Sequence, residues 1–231
     1  VNDSLIASIQ RRATKLAEDA ADLAILALAL DDFLKPPLIA GPISLIDALE
    51  TNEQARYPFP NWGRPLSQIR FMTIHHSAGQ RATQNIRWWH RYHTQTKSWS
   101  RVGYHFGIAP LDPGGPIELY QLNHLTTHSW HDSNNYDSFG VCLAGDLRAG
   151  YDERPNDVQL DAFGRLIAWL CEQDLPNWTA IVGHKQFGRT ACPGDLHIWG
   201  DHLVDAAAAY GCDISDMMDA EIGIESLTFA D

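Results

Sequence analysis

The stretch Phe71-Met72-Thr73-Ile74-His75-His76-Ser77-Ala78-Gly79 decides how this chain is built. A run rich in Phe, Ile and Thr that ends on two histidines and small residues reads as a strand over Arg70–His75, delivering imidazoles to the mouth of a sheet. Side chains alternate along a strand, so His75 and His76 face opposite sides and only one can enter a given cleft. A second stretch has the same form. Thr179–Val182 reads as a short strand ending in Gly183-His184, and the loop after it returns through Thr190-Ala191 to Cys192-Pro193-Gly194. Two imidazoles and one thiolate form a donor set that suits zinc. Three protein ligands leave the fourth tetrahedral position open, as a catalytic zinc needs, whereas a structural zinc would close with a fourth Cys or His. On spacing alone, the reading that these histidines are hydrogen-bonded structural groups stays open beside the metal site.

Strands and helices alternate around these two stretches. Gly103–Ala109 and Ile117–Gln121 read as strands joined by the turn Asp112-Pro113-Gly114-Gly115, and Phe139–Ala144 as an apolar strand. Helices are expected from Thr83, as cap, to about Gln95, from Asn156 or Asp157 to about Gln173, and over residues 199–210. Leu160, Phe163, Leu166, Ile167 and Leu170 line one face of the second. The expected fold class is α/β, a central mixed β-sheet flanked by helices.

The N-terminal part is different in kind. Ile6, Ile9, Ala13, Leu16, Ala20, Leu23, Ala27, Leu30 and Leu34 recur at spacings of three and four. This is a heptad seam, so residues 4–34 read as one long helix, capped by Asp3 and ended by Pro36-Pro37. The seam could pack on its own domain, on a short helix over about 43–55, or on a second copy by self-association. A Pro-rich connection follows. The expected divisions are an N-terminal helical extension, 1–56, a central domain, 57–210, and an acidic C-terminal tail, 211–231.

Composition narrows the function. The 231 residues are 45% hydrophobic and 20% charged, which is globular and not disordered. The net charge of −12 falls mainly on the two ends, while residues 57–200 are balanced; no basic face is present for nucleic acid. No apolar run approaches the roughly 18 residues of a membrane span. The longest, Leu23–Leu30, meets Asp31-Asp32 and lacks a basic segment before it, so no signal peptide is expected. The 4 cysteines are too few for a disulfide scaffold at this length. Cys142 lies in an apolar run and reads as a buried thiol.

Five segments occur in an order that resembles the type 2 N-acetylmuramoyl-L-alanine amidases, the superfamily of peptidoglycan recognition proteins and phage amidase lysozymes. They are Trp62-Gly63-Arg64, Ile74–Ala78, Gly103-Tyr104-His105-Phe106, Ser138–Gly145, and Gly183-His184 through Thr190–Gly194. The resemblance spans about residues 60–200. It implies zinc held by His75, His184 and Cys192, with Tyr104 beside it. Thr190 matches the position where phage members carry Lys and many recognition-protein amidases carry Thr; a role in polarising the carbonyl or binding substrate is expected. Asn135 matches a groove asparagine, and His128 resembles a groove histidine, with His131 as the alternative. His76, Trp99 and Trp130 complete the expected substrate contacts, and Trp130 and Tyr136 are expected to be exposed. The remaining histidines, His105 among them, are assigned to structure or surface.

The implied reaction is zinc-dependent hydrolysis of the lactyl amide between N-acetylmuramic acid and L-alanine in peptidoglycan, for wall lysis or remodelling. The implied location is extracellular, periplasmic or wall-bound, or that of a released phage lysin. Related recycling enzymes would carry an acid in the Gly140–Leu143 strand and Asp as third ligand; Cys142 and Cys192 at those positions point to the wall-lytic branch. The alternative is a non-catalytic module that binds peptidoglycan through the same groove.

Overall fold

The computed structural model describes residues 41–60 and 63–218, together with Lys15. The expected heptad helix lies outside the described residues, as does the end of the acidic tail. The chain divides into two compact units at residues 38 and 39, and the fold described belongs to the second.

Strands β1 (Ile43–Ser44), β2 (Phe71–His76), β3 (Phe106–Pro110), β4 (Ile117–Gln121), β5 (Ser138–Leu143) and β6 (Ala180–Gly183) form one sheet in the order β1-β4-β3-β5-β2-β6. β3 and β4 form an antiparallel hairpin, and the other neighbours are parallel. Central β2 runs between β5 and β6, and all of its residues are buried. Burial on both faces explains why it reads as a nearly unbroken apolar run and not as an alternation.

The two faces of β2 have different tasks. Met72 and Ile74 join Val141, Leu143 and Ile181 in the main core. Helix α2 (Asp157–Cys171) covers that face with Phe163, Leu166, Ile167 and Leu170, and α3 (Leu196–Ala208) packs with it through Trp199 and Leu203. Each such side chain contributes about 1.5–3 kcal/mol by leaving water, so Phe163→Ala would cost about 3–5 kcal/mol. Thr73 and His75 point to the opposite face. There the short helix α1 (Ile86–Arg91) seats Ile86 and Trp89 against Cys142, Ala144, Tyr120 and Leu122.

Helix starts follow their caps. α2 opens with a reciprocal pair: Asn156 Oδ1 accepts from Gln159 N–H at 3.0 Å, and Gln159 Oε1 accepts from Asn156 N–H at 3.2 Å. α1 begins later than expected because Asn85, not Thr83, caps it, accepting from Trp88 N–H at 2.9 Å. Thr83 instead closes a 3₁₀ turn, Arg81–Thr83, with its hydroxyl donating to Gln80 O. A π turn, Tyr92–Thr96, continues α1 toward Trp99.

Two expected boundaries move. No short helix forms over 43–55. Ile43 and Ser44 pair with Tyr120 and Gln121, and Leu45 is buried beside Tyr120, so the sheet reaches into the segment assigned to the extension. The β-branched Ile43 favours that strand. At the other end Ile214 enters the main core and Ser215–Met218 forms helix α4, so the domain continues past 210.

Candidate metal centre and groove

Parallel strands bring their C-terminal ends to one edge, where α/β domains place their ligands. β2 ends there in His75-His76 and β6 in Gly183, with His184 next. His75, 1% exposed, lies beside Cys142 in register on β5. Its Nδ1 is 3.8 Å from Cys192 Sγ, and its ring centroid is 4.6 Å from that of His184. One ligand atom from each of His75, His184 and Cys192 lies within 4.8 Å of the others. Donors around tetrahedral zinc stand about 3.3–3.8 Å apart, so the three residues fit the ion with small inward movement.

The donor chemistry fits as well. Burial, followed by the neighbouring His131 and His184, holds His75 well below the usual histidine range, which keeps it neutral and able to ligate. His184 is also lowered, chiefly by burial. The Cys192 thiol is pushed up to about 12 by burial, with the nearby Asp146 charge adding to it and the His76 N–H opposing. A buried thiol among neutral imidazoles gives up its proton when a cation takes its place.

The Cys192 loop is tied from several sides. His76 N–H donates to Cys192 Sγ at 3.3 Å, Lys185 N–H to Cys192 O at 2.8 Å, and Cys192 N–H to Thr190 Oγ1 at 3.2 Å. The Cys192–Pro193 bond is cis. Gly194 has φ +91° and lies so close to Leu147 O that a Cβ has no room. Tyr104 sits at the wall of the site, its ring centroid 5.2 Å from that of His75. Burial, with Cys142 and Cys192 beside it, holds its phenol well above the ordinary value, so it remains a protonated donor.

Behind His75 stands a polar cluster. His75 Nε2 is 3.2 Å from His131 Nδ1, which is 3.2 Å from Asp132 Oδ2. Asp132 accepts from Thr73 Oγ1 at 2.7 Å, Ser138 Oγ at 3.1 Å and Asn134 N–H at 2.6 Å. Burial alone would raise this carboxyl, but His131 and the Thr73 hydroxyl hold it well below the usual carboxylate range. The His131 ring approaches β5 closely because residue 140 is glycine; a Cβ there would come within 2.7 Å of the ring. With His75 and Asp132, His131 also offers a second set of ligand atoms within 4.8 Å.

Two cavities, of about 480 and 450 Å³, share Trp99, Trp130, His131 and His184 as walls and form one groove. The smaller contains His75, Cys192, Tyr104 and Thr190; the larger extends along Tyr57, Asp132 and Asn135. The structure thus places His75, His184, Cys192, Tyr104, Thr190, Trp99, Trp130 and Asn135 around these two cavities. Trp130 and Tyr136 are exposed, as expected.

Two expected contacts change. His128 is buried and stacked on Tyr136 at 4.9 Å, away from both cavities, and His131 takes the groove position. His76 touches the groove wall but is 5% exposed, and its Nδ1 accepts from Leu147 N–H at 3.0 Å, so it anchors a loop. Asn135 shapes its loop too: Oδ1 accepts from His131 N–H at 2.8 Å and Asp132 N–H at 3.0 Å.

Asp132 and Arg64 carry weight that sequence reading missed. Arg64 is buried, its Nε donating to Leu125 O at 2.9 Å and its Nη1 to the carbonyls of Asn135, Tyr136 and Ser138. Burial lowers its guanidinium to about 10, against the opposing charges of Asp132 and Asp137. His105, turned away from the groove, joins it: its Nε2 contacts Thr127 O at 2.9 Å and Nδ1 accepts from Gly140 N–H at 3.1 Å. Together they fasten the loop that carries His131.

A mixed-sheet α/β domain with a His-His-Cys donor set in an aromatic-walled groove is the class that fold and site define. Residues 65–195 match the N-acetylmuramoyl-L-alanine amidase family, and the chain belongs to that family. The N-acetylmuramoyl-L-alanine amidase of Sus scrofa is 28% identical over 159 residues, covering 60% of this chain and 24% of that protein. Peptidoglycan-recognition protein SC2 of Drosophila melanogaster is 26% identical over 144 residues, covering 58% of this chain and 72% of that one. The match therefore spans about a quarter of the pig protein. Among solved structures, peptidoglycan recognition protein LE in complex with tracheal cytotoxin aligns with a TM-score of 0.53 at 20% identity, covering 69% of this chain and 92% of that one. That likeness shows the fold. No helix among the described residues is long and apolar enough to cross a membrane.

Proposed function

We propose that this chain is a zinc-dependent N-acetylmuramoyl-L-alanine amidase that hydrolyses the lactyl amide bond between N-acetylmuramic acid and L-alanine in peptidoglycan. The observation that carries the reading is the His75, His184 and Cys192 donor set, with ligand atoms within 4.8 Å of one another at the floor of the groove. His75 Nδ1, His184 and Cys192 Sγ would hold the ion. When bound, zinc polarises the amide carbonyl and makes water a nucleophile at neutral pH.

The chain's own groups do the rest. Trp99 and Trp130 offer ring faces for the saccharide-peptide chain to lie on. Tyr104, held as a protonated phenol, donates to the oxygen that gains charge as the carbonyl is attacked. Thr190 Oγ1 accepts from Cys192 N–H and keeps its own proton to donate into the groove. His131 and Asp132 stand behind His75 and fix its ring. The substrate lies in the wall, so the site of action is extracellular or periplasmic, or that of a released phage lysin.

The test is mass spectrometry of the products from purified peptidoglycan, with and without a zinc chelator, beside Cys192→Ser. Free stem peptides and peptide-free glycan, lost with chelator and in the variant, are the expected result. Uncleaved but bound peptidoglycan would make the chain a recognition module and overturn the assignment.

A further inference from the structure

One wall of the larger cavity comes from a segment that precedes the matched residues 65–195. Residues 52–60 lie along the loop 94–100 as a strap. Asn52 N–H donates to Ser100 O at 2.9 Å, and Asn52 Nδ2 to Thr94 O at 2.8 Å. Tyr57 N–H donates to Ser98 O at 3.0 Å, and Phe59 N–H to Ser100 Oγ at 2.8 Å. Tyr57 pairs with Trp99 through an isolated parallel bridge, and Phe59 meets Trp130 edge to face, with ring centroids 6.3 Å apart. Trp99 is fixed in turn. Its ring stacks on the buried His93 at 4.7 Å, and a Cβ on Gly103 would come within 2.7 Å of it. The backbone of Tyr57 is therefore tied down, while its side chain is 50% exposed and lines the cavity with Trp99 and Trp130.

The two cavities differ in charge. Lys97 and Arg148 line the smaller one together with the donor set. Among the described residues lining the larger one, Asp132 is the one acidic or basic side chain besides the histidines, and it is hydrogen-bonded to Thr73 and Ser138. A ligand that carries carboxylates, such as a peptide, is drawn to Lys97 and Arg148 and repelled from Asp132. The larger cavity offers three aromatic rings and the Asn135 amide. Asn135 Oδ1 already accepts from His131 and Asp132 N–H, so Nδ2 is the group left to donate. Aromatic faces with a few polar groups to fix orientation suit a neutral pyranose ring, whose C–H surfaces pack on them. We propose that Tyr57, carried by the strap, forms with Trp99 and Trp130 a saccharide subsite that takes a pyranose ring of the glycan strand. The inference rests on the peptidoglycan reading of the groove and is independent of whether the chain cuts its ligand.

The test is titration calorimetry on the full chain with two probes, a peptide-free glycan tetrasaccharide and a free stem peptide. Neither contains the lactyl amide, so cleavage plays no part. Tyr57→Ala should weaken tetrasaccharide binding by about three- to tenfold and leave stem-peptide binding unchanged. Tyr57→Phe keeps the ring and should bind the tetrasaccharide as the unsubstituted chain does. Tyr57→Leu keeps an apolar side chain on the strap without a ring and should behave as Tyr57→Ala. Unchanged tetrasaccharide affinity in Tyr57→Ala would overturn the proposal. An equal loss for the stem peptide would put the peptide against Tyr57 and overturn it too. Binding of the stem peptide alone, by the unsubstituted chain, would remove this subsite and leave the peptidoglycan reading standing. Binding of neither probe would overturn both.

Discussion

His75 and His76 are adjacent on β2, almost equally buried at 1% and 5% exposure, and each lies near an aspartate. The surroundings separate them. Behind His75, the Asp132 carboxylate is buried with its Oδ2 3.2 Å from His131 Nδ1, and among the described residues no Lys or Arg forms an ion pair with it. Beside His76, Asp146 takes Arg148 Nε at 2.8 Å and a second bond from Nη2, while His76 Nδ1 receives Leu147 N–H. The His76 side is balanced before any ligand arrives. The His75 side gathers a buried carboxylate, three imidazoles and a buried thiol with no Lys or Arg ion pair among the described residues, and this is where the proposed zinc would sit. Strand alternation sets the two rings apart, but their partners determine what each can do.

The largest expected effect breaks that comparison directly. His75→Ala should lower zinc affinity by about three orders of magnitude or more and abolish amidase activity, because two remaining donors do not hold the ion. His76→Ala should keep one zinc per chain. Competition against a chromogenic chelator reads both. Equal losses in the two variants would remove the distinction.

Acid treatment comes next. His93 is lowered to about 3 and His76 to about 4, chiefly by burial, and His105 is held well below the ordinary range. These groups bind protons in the unfolded chain near pH 6.5 but not in the folded one, so stability falls as pH drops from about 6.5 toward their folded values. Each steepens the fall by about 1.4 kcal/mol per pH unit. Asp132 acts with the same sign but only below its ordinary value, 3.8. Tm measured with chelator present should be flat between about pH 7 and 8, fall steeply by pH 4, and fall again above about pH 9, where the buried Cys192 and Tyr104 keep protons that the unfolded chain loses. His93→Gln should flatten the slope; an unchanged slope would show that His93 does not bind its proton on unfolding.

Much of this was legible beforehand because it rests on local rules. The apolar runs before His75 and His184 marked the strands that deliver them, and the returning loop brings Cys192 beside both. Asn156 announced α2 through its cap, and Ile117–Gln121 emerged with its expected bounds. What was hidden depends on contacts distant in sequence. Asp132, in the run His131-Asp132-Ser133-Asn134-Asn135, reads as part of a solvated loop, yet it is buried against Thr73 from β2. Ile43 reads as the start of a helix until β4 offers it a partner. The resemblance offers His128 with His131 as its alternative for a groove histidine; His131 lines both cavities, and residue 140, where a Cβ would come within 2.7 Å of its ring, is glycine.

Asp132→Asn should have an intermediate effect. The amide keeps the shape and some hydrogen bonds but removes the charge that faces His131 and, through it, His75. Losing such a partner typically costs 10–100-fold in metal affinity. Chelator competition again gives the number. A change below threefold would mean that Asp132 only shapes the loop.

Asp146→Asn should have the smallest effect and sharpen the contrast most. The Asp146 Oδ1 lies 3.5 Å from His76 Nδ1. Its charge is matched by the exposed Arg148, however, and the Leu147 N–H that fixes His76 is a backbone group the substitution leaves in place. Asn can still accept from the Arg148 side chain. Zinc affinity should therefore change by less than about threefold, because Asp146 touches none of His75, His184 or Cys192 and the partners it loses are screened by solvent. A tenfold loss would show that the Asp146 charge acts on the Cys192 sulfur across His76, and the two aspartates would then have to be treated as one electrostatic unit around the donor set.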